Sequence, residues 1–148
     1  MTQEEFWNLI GLIDLGALEQ QDEEAAVSLL VIALANMSTP DIENFYSYLS
    51  HALYEIDGEI YADNAGDSGG SDDAFLYARC YVVARGEEFY NSVKNDPSQM
   101  PQDIEQWCES LLYVAPKAWG QISGSEPNEW EFSPEVSFET GRNISQWS

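Results

Sequence analysis

The chain has 148 residues, and its 27 Asp and Glu against five Lys and Arg give a formal net charge of −22. That length suits one domain around a single core, and that charge repels nucleic acid and anionic membranes while attracting basic proteins or metal cations. The charge is also uneven: the first 78 residues hold sixteen carboxylates and no Lys or Arg, and Arg79, Arg85, Lys94, Lys117 and Arg142 all follow, among eleven further acids.

In chain order, Phe6, Leu9, Ile10 and Ile13 form one apolar face and predict a first helix over 3–15. A polar stretch, EQQDEE, separates it from a second helix over 24–37, where Val27, Leu30, Val31 and Leu34 repeat at helical spacing. That second helix is apolar on most sides and is expected to be buried. Thr39 as cap, Pro40 in the first turn and Asp41 with Glu43 near the positive helix end predict a third helix. Its stripe is Ile42, Phe45, Leu49, Leu53 and Ile56. Ser71 is the next expected cap, with Asp72 and Asp73 opening a helix that carries Phe75, Leu76, Cys80, Val82 and Val83. Gly86 stops or kinks it before EEFYNSVKN and Asp96-Pro97. A final helix is expected over 102–119 from Ile104, Trp107, Cys108, Leu111, Leu112 and Ala115, with Pro116 able to end it early. From Gly120 onward, Ser, Gly, Pro and Glu dominate, with isolated Trp130, Phe132, Phe138 and Trp147. The expected fold is all-α: one domain, 1–148, of about five helices, with an irregular arm over 120–148 anchored by its aromatics.

The opening MTQEEFWNLIGLIDLG has acids where a secretory signal has bases, and no apolar run approaches the ~18 residues of a membrane span. Cys80 and Cys108 lie in apolar helical patterns, outside any Cys-x-x-Cys pair, and read as reduced core thiols. Both features point to a cytoplasmic protein.

Gly66-Asp67-Ser68-Gly69-Gly70 spells GDSGG, the nucleophile loop of trypsin-like proteases. Such a protease needs two β-barrels, roughly 200 residues or more of all-β chain, and a His held by a buried Asp. The lone histidine, His51, falls in a helical pattern between Leu49 and Leu53, so it reads as a partly buried imidazole. GDSGG is therefore read as a glycine-rich turn. The surrounding DNAGDSGGSDD fails as a calcium loop in both registers, because Ala65 or Gly69 falls at the third ligand position. A looser cation site from Asp63, Asp67, Asp72 or Asp73 stays open. Asp72 and Asp73 serve either as first-turn acids behind the Ser71 cap or as a carboxylate dyad, and the cap reading is the simpler. Arg79 lies seven residues after Asp72, on the same helix face, and is expected to pair with an acid of the loop or the preceding helix. Trp107 and Trp119 read as core.

Phe6-Trp7, Gly69, SDDAFLYARCYVVARGEEFY and Asp96-Pro97 together resemble the bacterial family called domain of unknown function 4240. The matching positions include Ser71, Asp72, Asp73, Phe75, Tyr77, Arg79 and Gly86, over roughly 4–120. Asp67, Ser68, Gly70, Ala78 and Tyr81 depart from the family's pattern. The resemblance implies a fold, assigns Phe6, Trp7, Ser71, Phe75 and Arg79 as structural signature residues, and carries little about function.

The functional expectation is an acidic immunity protein that binds a basic protein toxin, most readily a nuclease, and covers its active or substrate-binding site. Its expected contact residues are Glu55, Asp57, Glu59, Asp63, Asp67, Asp72 and Asp73, with no catalytic residue, metal or cofactor. The alternatives are an enzyme or metal-dependent module at Ser71-Asp72-Asp73, and a DNA-mimic regulator of a nucleic-acid-binding protein.

Overall fold

Five of the helices start where a short polar side chain accepts a backbone N–H that the helix itself cannot satisfy. In the computed structural model, which describes residues 1–147, Thr2 accepts from Glu5 N at 3.1 Å to open α1 (Gln3–Ile10). Asp14 opens α2 (Leu15–Glu19), and Asp22 opens α3 (Glu23–Ala35). Ser38, one residue before the expected Thr39, caps α4 (Thr39–Glu55), leaving Pro40 in the first turn where its missing N–H costs nothing. Ser71 accepts from Ala74 N at 3.2 Å and opens α6 (Asp72–Ala84), as its position before two acids predicts. Three further helices, α5 (Glu59–Asp63), α7 (Glu87–Asn95) and α8 (Val114–Ser123), begin without a side-chain cap. Short 3₁₀ turns lie between and after them, and no strand occurs among the described residues.

Among the described residues, eight α-helices thus replace the expected five or so. The first expected helix divides: α1 stops at Ile10, and Asp14, hydrogen bonded through its N–H to the Ala26 carbonyl, starts the separate turn α2. The last expected helix is displaced by some twelve residues. Between Asp103 and Cys108, side chains take the backbone's hydrogen bonds: Asp103 accepts from Glu105 N at 2.9 Å, and Gln106 accepts from Asp103 N at 3.2 Å. Cys108 N donates to the Tyr77 carbonyl of α6 at 3.2 Å. Such local bonds compete directly with helix formation. Ile104 is consequently exposed, and Pro116 sits in the first turn of α8 instead of ending a longer helix.

α6 is the central element, with nine of its 13 residues buried. It packs against α4, α7 and the Glu109–Tyr113 turn, while α3 and α4 pack against α8. Phe6, Leu30, Leu34, Phe45, Leu49, Leu53, Phe75, Val82 and Val83 form the heart of the core. Truncating one such side chain, Leu30→Ala for example, removes about 2–5 kcal/mol of stability. α3 is less enclosed than its composition predicts: Leu29 and Ile32 are 57% and 54% exposed. Beyond Gly124, which ends α8 at φ 73, the chain runs irregularly back across the helices. Trp130 and Phe138 pack on Tyr46 at ring-centroid distances of 4.8 and 5.9 Å, and Trp147 packs on Phe75 at 5.9 Å. The arm's aromatics are its anchors.

Candidate functional site

Two buried charges hold this arm in place. Asp57 follows the C-terminus of α4, between buried Ile56 and Gly58, and is fully inaccessible. Its Oδ1 accepts from Gly141 N at 3.0 Å and Trp147 Nε1 at 2.9 Å, and its Oδ2 accepts from Asn143 N at 3.0 Å. Arg79 projects from the buried side of α6 and is equally inaccessible. Its Nη1 donates to the carbonyls of Leu53 and Phe138 at 2.9 and 3.0 Å, and its Nη2 donates to Thr140 Oγ1 at 2.9 Å. Thr140 in turn donates to the Asp72 carbonyl at 2.7 Å, and the guanidinium lies 4.7 Å from the Phe75 ring centroid. Burial pulls the Arg79 guanidinium below its ordinary pKa, and the Asp57 carboxylate opposes that pull.

This arrangement corrects two expectations. Asp57 is not a contact residue, since its carboxylate is spent inside the fold on three donors of the C-terminal arm. Arg79 forms no direct ion pair among the described residues; it bonds main-chain carbonyls and a threonine hydroxyl. The sequence held a signal for each. Arg79 falls on the Phe75–Val82 stripe, and Asp57 lies between an apolar residue and a glycine at a helix end.

The remaining expected contact residues are exposed. Glu55 is bonded to Lys94 on α7, so it does have a counter-charge. Glu59 and Asp63, on α5, line a shallow cleft beside Ser145 and Gln146. Asp67 stands exposed on the Gly66–Gly70 turn, and Asp72 and Asp73 are exposed in the first turn of α6. Asp73 also borders a cleft containing Tyr46, Tyr77 and Phe138. Two of the chain's cations lie against other segments. Arg85 lies over the Phe89 ring at 4.5 Å, and Lys117 lies 3.7 Å from Glu24.

GDSGG is a 3₁₀ turn with a structural serine. Ser68 is buried, and its Oγ accepts from Trp107 Nε1 at 2.9 Å. His51 instead neighbours Glu135, at 3.7 Å. A Cβ on Gly69 would come within 2.2 Å of the Ala62 carbonyl oxygen, so this position admits only hydrogen. Gly66 has φ +58 and a Cβ there would lie 2.6 Å from the Gln102 carbonyl oxygen. Both cysteines are free and buried; burial raises Cys80 well above the ordinary thiol pKa and pushes Cys108 up to about 12. Among the described residues, no three His, Cys, Asp or Glu side chains group to hold a metal ion. No helix among them is long and apolar enough to cross a membrane.

A cleft that the sequence reading missed opens between α1, α4 and α7, with a volume of about 290 Å³. Its floor is a continuous run of rings: Tyr48 on Phe6 at 5.8 Å, Phe6 on Trp7 at 5.0 Å, and Trp7 on Tyr90 at 5.2 Å. Tyr90 donates to the Ala52 carbonyl at 2.6 Å and Tyr48 to the Met1 carbonyl at 3.2 Å, which fixes two of the rings. Gln3, His51, Glu55, Asn91 and Lys94 complete the lining. Its residues come from three helices far apart in sequence, so no linear motif announces it.

The fold and site define an acidic, all-α domain whose C-terminal arm is strapped down by a buried aspartate and a buried arginine. The chain belongs to the family described as protein of unknown function DUF4240, whose profile matches residues 1–121. No curated protein matches it, and no solved structure does. The matched region supplies Asp57 and Arg79, whereas the arm they grip lies past its end. The signature positions have structural duties here: Ser71 caps, Gly69 permits close approach, Phe75 and Arg79 are buried, and Gly86 adopts φ 104. Asp96 accepts from Ser98 N at 3.2 Å and so opens the Pro97–Gln99 turn.

Proposed function

We propose that this chain is an immunity-type inhibitor that binds a basic protein toxin in the cytoplasm and covers the surface with which the toxin engages its substrate. A nuclease is the favoured target, because a surface built to attract phosphates is complementary to a domain of charge −22. The observation that carries this reading is the exposure of Glu59, Asp63, Asp67, Asp72 and Asp73 along one 15-residue stretch that contains no Lys or Arg. Arg85 and Lys117 meanwhile sit against an aromatic ring and a carboxylate of other segments. Binding by blockade requires a charged, rigid surface and no catalytic group or cofactor. Ser71 as a helix cap and Ser68 as a partner of Trp107 are in keeping with that.

The test is affinity capture with the tagged chain from lysate of its source cell, washed at low and then high salt. One basic protein retained near stoichiometrically through high salt is expected, with nuclease activity that falls to background at one equivalent of the chain. A diffuse set of proteins lost in the salt wash would contradict the proposal.

A further inference from the structure

We propose that the cleft between α1, α4 and α7 is a receptor for a basic side chain, an arginine guanidinium or a lysine ammonium, presented by a protein partner. The inference rests on the reading of the chain as a binder of a basic protein, and it names the place where one partner residue is held.

Three observations carry it. The floor is aromatic, with Tyr48, Phe6, Trp7 and Tyr90 in unbroken contact, and the half-buried Tyr48 leaves part of its ring open to a cation. Trp7 and Tyr90 are 9% and 5% exposed, so their rings are packed in place before any ligand arrives. A carboxylate stands at the edge: Glu55 lines the cleft with its side chain 48% exposed. The chain's own Lys94 ammonium is bonded to Glu55 at that edge, which shows that a cation is accommodated there. A partner's guanidinium can exchange with it, because it adds planar, bidentate bonding to the carboxylate and stacking on Tyr48, which an ammonium lacks.

Size and field narrow the choice. Ligand pockets usually run from about 300 to 1,000 Å³. At about 290 Å³ this cleft suits a single side chain better than a nucleotide. The Glu55–Lys94 pair is neutral as it stands, and the net charge of −22 sets the sign of the ligand by drawing cations and opposing anion approach.

The experiment titrates the full-length chain with arginine amide at constant ionic strength and follows backbone and indole N–H shifts. Saturable shifts at Trp7 Nε1, Ala52, Tyr90 and Lys94 are expected. Glu55→Gln should weaken binding about tenfold, equivalent to about 1.4 kcal/mol. Lys94→Met should tighten it a few-fold by removing the internal competitor. Both positions are exposed, so the variants are expected to keep the wild-type far-UV spectrum. Shifts scattered over all exposed carboxylates, or an unchanged affinity in Glu55→Gln, would overturn the assignment. A site tighter for spermidine than for arginine amide would overturn the protein side chain as its ligand. The broader function fails separately: arginine amide would still bind the cleft although no basic protein is inhibited. Conversely, a captured partner that binds Glu55→Gln as tightly as wild type would defeat the cleft and leave the inhibitor reading standing.

Discussion

Asp57 and Asn143 meet across 86 positions of chain, the aspartate carboxylate accepting the asparagine N–H at 3.0 Å with neither residue on the surface. With Gly141 N and Trp147 Nε1 on the same carboxylate, and Arg79 on Phe138 and Thr140, the last third of the arm is tied to α4 and α6 by two ions of opposite charge. The Asp57 carboxylate is met by three donors, and both terminal nitrogens of Arg79 are bonded while its Nε has no partner. Removing one member of such a buried charged set typically costs about 3–5 kcal/mol.

Asp57→Ala is therefore expected to lower unfolding free energy by about 3–5 kcal/mol and to expose the arm. Urea unfolding checks the first effect. Limited proteolysis with mass spectrometry checks the second, with new cuts expected between residues 133 and 147. Arg79→Lys should cost about 2–4 kcal/mol, since one ammonium cannot span the carbonyls of Leu53 and Phe138 and the Thr140 hydroxyl together. A variant at either position with native stability and native protease resistance would refute the strap.

The two glycines at the end of GDSGG should behave oppositely. Gly69→Ala drives a methyl into the Ala62 carbonyl and is expected to destabilise by about 1–3 kcal/mol. Gly70→Ala meets nothing within 4 Å and should fall within about 0.5 kcal/mol of wild type. Ser68→Ala strips the acceptor from the Trp107 indole and should cost about 1 kcal/mol while shifting tryptophan emission. Thermal melts of the three variants decide the matter.

Local signals were legible in the sequence where the physics is local. Ser71 before two acids and Pro40 in a first turn mark helix starts, and the periodic apolar stripes mark α4 and α6. The failures lie where distant groups intervene. Residues 102–108 have helical periodicity, yet Tyr77 captures Cys108 N and the Asp103 and Gln106 side chains take neighbouring donors. The carboxylates at 55 and 57 look equivalent in the chain. One is held at the surface by Lys94 and the other is buried under the arm, because Gly141, Asn143 and Trp147 are more than 80 residues away. The aromatic cleft likewise needs α1, α4 and α7 assembled before it exists.

The buried thiols give the fold a pH dependence on the alkaline side. Unfolded cysteines release protons from about pH 9, while in the folded chain Cys108 holds its proton to about 12 and Cys80 is shifted the same way. The folded state thus binds more protons in that window, and stability falls as pH rises from about 9 towards 12. Below pH 9 this contribution is fully present. The urea midpoint is expected to drop between pH 7.5 and 10.5, and the Cys80→Ala/Cys108→Ala chain should show a lower midpoint throughout but a smaller drop. Equal drops would remove the thiols as the cause.

The most direct test of the proposed function is the association rate with the captured partner, measured against ionic strength. The comparison is between wild type and a chain carrying Glu59→Gln, Asp63→Asn, Asp67→Asn and Asp73→Asn, with Asp57 left intact because it holds the fold. Electrostatic steering predicts a wild-type rate that is about 10-fold to 10³-fold higher at low salt than at high salt, with the variant slower and its salt dependence flatter. Superimposable rates for the two chains at every ionic strength would contradict the account.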